Sequence, residues 1–91
     1  MTELPRAALF ADCLHDEFRL RLDDGGIVPL ELAEVTGAGP DAFSLLFRGA
    51  PGFYAEQRIW PLEHDRLGTV ELFLVPIRPD ADGSRFEAVF A

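Results

Sequence analysis

Polar and apolar residues alternate with a period of two along most of this chain. In Phe18-Arg19-Leu20-Arg21-Leu22 three apolar side chains fall on one face and two arginines on the other, as in a half-buried strand. Asp23-Asp24-Gly25-Gly26 then supplies a hairpin turn signal. The returning strand, Ile27 to Val35, alternates Val28, Leu30 and Leu32 with Pro29 and Glu31. Proline cannot donate to a ladder, so Pro29 predicts an edge position or a bulge near the strand's start. Thr36 to Asp41 breaks the pattern as a loop, and Phe43 to Arg48 resumes it, with Phe43, Leu45 and Phe47 on one face. Arg58 to His64 reads as a fourth strand and Asp65 to Gly68 as a turn. Val70 to Ile77 and Arg85 to Phe90 close the chain as a hairpin, numbers five and six.

Two segments depart from simple alternation. Val70, Leu72 and Leu74 share one face of the fifth strand while Phe73, Val75 and Ile77 share the other, so both faces are apolar. A short chain has trouble burying both, which calls for a closed sheet, a covering helix or a partner. Residues 4 to 16 instead carry Leu9, Phe10, Cys13 and Leu14 at helical spacing, with Pro5 where a first turn tolerates it. The expected fold is therefore mainly β: a small six-stranded antiparallel barrel or curled sheet, with one short N-terminal helix plugging an opening. Residues 1–91 are expected to form a single domain, since the 91-residue chain has no repeat, linker or low-complexity tract.

Composition narrows the function classes. Apolar residues make up 48% of the chain and include eight Phe, which is globular composition. The net charge of −8 repels phosphate backbones and anionic lipid heads, so neither nucleic acid nor a membrane surface is an expected partner. Core packing then explains the aromatics better than a base-stacking platform does. The lone Cys13 has no disulfide partner, and no stretch reads as a secretory signal or membrane span. A cytoplasmic protein is expected, with incorporation into an extracellular assembly left open.

Candidate chemistry is sparse. Gly37-Ala38-Gly39-Pro40 lacks the third glycine and the Lys-Ser or Lys-Thr of a phosphate loop. Asp80-Ala81-Asp82-Gly83 resembles part of a calcium loop but lacks the distal bidentate Glu, and a hairpin turn wants the same residues. His15 and His64 sit among carboxylates, and a metal would need the fold to bring them together with further ligands. Cys13 lies on the apolar stripe of the helix, where burial is the better reading than nucleophilic catalysis. No catalytic residue, cofactor or metal is therefore expected. Between the strands, Gly49 to Gln57 is the longest irregular piece, and its adjacent Phe53 and Tyr54 are unusual for a solvated loop.

Phe43-Ser44-Leu45-Leu46-Phe47-Arg48-Gly49, Leu62-Glu63-His64-x-x-Leu67-Gly68-x-x-Glu71-Leu72-Phe73-Leu74-Val75-Pro76-Ile77 and Pro79-Asp80-x-Asp82-Gly83-x-x-Phe86-Glu87-Ala88-Val89-Phe90 together form a signature. By it the chain resembles a small, uncharacterised bacterial domain family. The resemblance implies no activity or cofactor, and it implies gene neighbours of phage-tail-collar or microcystin-dependent fibre type. Within the signature Arg48 is expected to tie to the backbone or to a carboxylate such as Glu63 or Glu71, and Gly49 to allow a turn.

The leading expectation is a non-enzymatic protein-interaction or assembly module that binds a protein partner or a second copy of itself. Phe53, Tyr54, Phe73, Val75 and Ile77 are its candidate interface. The alternative is a small-ligand-binding or enzymatic domain with a pocket at the barrel mouth, using Trp60 and His64 or His15. On the first reading, Phe73→Asp is expected to disturb association or folding more than His64→Ala.

Overall fold

The computed structural model describes residues 6–37 and 42–90. Its six antiparallel strands are β1 (Glu17–Arg21), β2 (Ile27–Gly37), β3 (Phe43–Gly49), β4 (Arg58–His64), β5 (Gly68–Asp80) and β6 (Gly83–Phe90), preceded by helix α1 (Arg6–Ala11). They close into a barrel in the order β1-β2-β3-β6-β5-β4. Turns carry the chain from α1 to β1, so the helix is shorter than the expected span; residues 4 and 5 of that span lie outside the described residues. The expected loop at 36–41 begins later than the pattern suggested, because β2 runs on through Gly37, and its remainder lies outside the described residues.

Alternation builds the interior. Phe18, Leu20, Leu30, Leu32, Phe43, Leu45, Phe47, Trp60, Leu62, Leu72, Leu74 and Phe86 are all buried, each contributing roughly 1.5–3 kcal/mol relative to exposure. One irregularity changes the phase. Leu32 pairs with Phe47 and Glu34 with Leu46, so Ala33 is the extra residue of a β-bulge. Without that bulge Val35 would point to solvent; with it Val35 pairs with inward-facing Leu45 and packs on the core. Pro29 pairs with Arg19 of β1, while the β2–β3 pairing starts only at Glu31. It therefore has a strand neighbour on one side only, which is the edge-like position that its missing N–H requires.

Helix α1 closes one end of the barrel. Phe10 is buried, with its ring 6.4 Å from Phe18, 6.1 Å from Phe43 and 5.9 Å from Phe90. The chain then reverses through His15, whose φ is 71°, and His15 N–H donates to the Leu32 carbonyl at 2.7 Å. A left-handed backbone is costly for a residue with a Cβ, and here it turns the chain from the helix into β1. At the other end the β5–β6 turn presses against β3: a Cβ on Gly83 (φ 148°) would lie 2.0 Å from the Gly49 carbonyl oxygen. Gly49 is itself a buried strand residue opposite Ser84, so close approach and not a turn explains it. Among the described residues no helix is long and apolar enough to cross a membrane.

Candidate functional site

Two places gather the chemistry-bearing residues. The first joins the turn after α1 to the β4–β5 turn. His64 is the last residue of β4 and points inward, so the short turn that follows folds its own backbone over the ring. Its Nδ1 accepts hydrogen bonds from the backbone N–H groups of Arg66 (3.1 Å) and Leu67 (3.2 Å). An Nδ1 that accepts from two donors carries no proton, so Nε2 bears the hydrogen and donates it to Asp16 Oδ2 at 2.9 Å. The imidazole packs 4.6 Å from the Phe18 ring. That bond from His64 holds the Asp16 carboxyl below its usual range, with Arg66 adding to the effect. Arg66 also donates to the Asp12 carbonyl at 2.8 Å and approaches Cys13 Sγ at 3.6 Å.

Cys13, Asp16 and His64 offer ligand atoms within 4.8 Å of one another. The chemistry of the donors does not fit a metal. A metal on Nε2 would move the imidazole proton to Nδ1, where it would meet the N–H groups of Arg66 and Leu67. The Arg66 guanidinium already supplies positive charge beside the thiol and the carboxylate. The same tautomer leaves His64 without a free nitrogen to act as base toward Cys13. That thiol is 1% exposed, and burial pushes its pKa up, opposite to what an activated nucleophile needs. The cluster is a hydrogen-bonded clasp that ties the helix turn to the barrel wall.

His15 and Trp60 lie elsewhere. His15 is exposed, 3.2 Å from Glu31, and lines a shallow depression with Arg48 and Gly49. His64 lines a different one with Arg19 and Asp65, and Trp60 lines neither. Trp60 Nε1 donates to the Glu56 carbonyl at 2.8 Å, and the Arg58 guanidinium covers its ring at 3.8 Å while gripping Asp23 at 2.9 and 2.6 Å. The residues of the ligand-pocket alternative are thus dispersed over the barrel. Arg48 pairs with Asp80 at 2.8 Å, and not with Glu63 or Glu71. The other oxygen of Asp80 accepts the Asp82 N–H at 2.9 Å; this backbone bond and Arg48 lower the Asp80 pKa. Both carboxylate oxygens serve the turn, which favours the turn reading of Asp80-x-Asp82-Gly83 over calcium.

The second place is the outer face of β4, β5 and β6. Leu72 and Leu74 fill the barrel, so Phe73, Val75 and Ile77 point outward. Phe73 is 50% exposed and its register partner Ile59 is 59% exposed. Val89, 61% exposed, points outward on β6 two residues beyond Glu87, the partner of Val75, past the point where β6 parts from β5. The result is an exposed apolar patch across β4 and β5, which Val75 and Ile77 continue along β5. Period two alone would have identified Ile59 and Val89, since each alternates with an inward residue. Of the loop pair, Phe53 packs on Phe86 at 5.7 Å, while Tyr54 is 70% exposed.

Beside the patch lies a groove of about 340 Å³ between α1 and the barrel, lined by Leu9, Phe10, Leu67, Val70, Glu71, Leu72 and Phe90. The sequence placed no pocket here. Residues 5–90 match a family described as Domain of unknown function (DUF6916). No curated protein and no solved structure matches the chain.

Proposed function

The chain belongs to that family of unknown function, and we propose that it is a non-enzymatic protein-interaction or assembly module that binds through the outer face of β4, β5 and β6. One observation carries the reading: the register partners Ile59 and Phe73, 59% and 50% exposed, form an apolar patch on the outer face, which Val75 and Ile77 continue along β5. Contiguous exposed apolar surface on a small soluble domain marks an interaction site more often than an accident of packing. The clasp around His64 supports the same reading, since its residues are engaged in holding the fold.

In the bacterial setting that the signature implies, the partner is a structural protein of phage-tail-collar or fibre type encoded beside it. The test is a pull-down of neighbour-encoded proteins with the wild-type chain and with Phe73→Asp, alongside light scattering after size exclusion. Retention by the wild type and loss in the variant is the expected outcome. A wild-type monomer that retains none of them would remove the support for this reading.

A further inference from the structure

The barrel is closed unevenly. β5 pairs with β4 from Gly68 to Leu74, whereas its pairing with β6 begins only at Val75↔Glu87. Among the described residues, Gly68–Leu74 therefore has a strand partner on one side only, and its middle residues Val70, Glu71 and Leu72 line the groove beneath α1. Seven residues at about 3.3 Å each make an edge of roughly 23 Å. Backbone N–H and C=O groups along such an edge form a template for another extended chain.

We propose that an extended peptide segment of a partner adds as a strand along Gly68–Leu74, with apolar side chains at alternate positions and basic ones between them. This rests on the interaction reading above and names its partner class. Side chains of an added strand alternate between two faces. Those pointing inward enter the groove against Leu9, Phe10, Val70 and Leu72, which are all apolar. Those pointing outward stand beside exposed Glu71 and Phe73. Glu71 and the net charge of −8 favour a basic segment there.

A second copy of the chain fits worse. Glu71 is the midpoint of Gly68–Leu74, so symmetric antiparallel pairing of two such edges sets Glu71 opposite its own copy. Like charges directly opposite destabilise a sheet, and each copy brings a further −8.

The test is a titration of ¹⁵N-labelled full chain with a capped seven-residue peptide alternating valine and lysine, and with its valine–glutamate counterpart, at low salt. Saturable shifts and slowed amide exchange across Gly68–Leu74 are expected, with roughly fivefold tighter binding of the lysine peptide, the scale of one opposite-charge cross-strand pair. Glu71→Lys removes that preference, and Leu9→Asp, at a 37% exposed position in the groove wall, weakens both peptides without unfolding the chain. No saturable shifts at Gly68–Leu74, equal binding of both peptides, or dimerisation through this edge would overturn the proposal. The neighbour-encoded partner separates the two readings. If Phe73→Asp releases it and Leu9→Asp and Glu71→Lys do not, the interface stands and the strand addition falls.

Discussion

Replacing His64 by alanine should cost this small domain about 3 kcal/mol. The imidazole is 5% exposed, and its removal withdraws the acceptor for the Arg66 and Leu67 N–H groups and the donor to Asp16. An acceptor withdrawn from partly buried donors costs roughly 1–3 kcal/mol, toward the low end where water reaches the turn. Lost ring contact with Phe18, 4.6 Å away, adds roughly 0.5–1.5 kcal/mol. At about 4–8 °C per kcal/mol for a domain of this size, Tm should fall by roughly 12–24 °C. His64→Asn keeps an acceptor near the Nδ1 position and loses the link to Asp16, so it should recover about half of the deficit. Urea unfolding followed by far-UV circular dichroism measures both variants. A loss below about 1 kcal/mol in His64→Ala, or no recovery in His64→Asn, would refute the tautomer and the clasp built on it.

Other outcomes follow from the same geometry. Asp16 is held below its ordinary pKa in the folded chain, so the unfolded chain binds more protons in acid. The stability it contributes is complete above about pH 4 and is lost as pH falls through the lowered value; Asp16→Asn should flatten the acid limb of a stability–pH curve, and an unchanged limb would count against the link to His64. Gly83→Ala should destabilise by more than about 2 kcal/mol in the same urea assay, because its Cβ meets the Gly49 backbone; a near-neutral result would show that this turn can shift. At His15, where φ is 71°, glycine should be tolerated and valine should cost roughly 1 kcal/mol more than glycine in thermal melts. Phe73→Asp should leave the unfolding free energy within about 1 kcal/mol of wild type, since the ring is half exposed. For folding, these predicted costs reverse the expected order of Phe73→Asp and His64→Ala; for association, the pull-down decides the order.

The strands were legible because the pleat imposes period two. β4 coincides with its expected bounds, and the two-sided apolar strand resolved into Leu72 and Leu74 inside and Phe73, Val75 and Ile77 outside. What escaped the pattern depended on the tertiary fold. Ala33 looks like any strand residue, yet as the bulge it resets the phase that brings Val35 inward. His64 was legible as a histidine among carboxylates, but its role came from the backbone of Arg66 and Leu67 folding over it. Arg66 gave no signal, because a turn arginine is usually solvated. The groove under α1 also left no signal. It exists because β5 parts from β6 before Val75, and strand divergence leaves no mark on hydrophobic alternation.

Binding of a protein partner to the outer face of β4, β5 and β6 is read out by retention of neighbour-encoded proteins on folded wild type, Phe73→Asp and Ile59→Asp. Retention by the wild type and its loss in both variants, with their Tm preserved, is the result predicted. Equal retention by all three chains would contradict it.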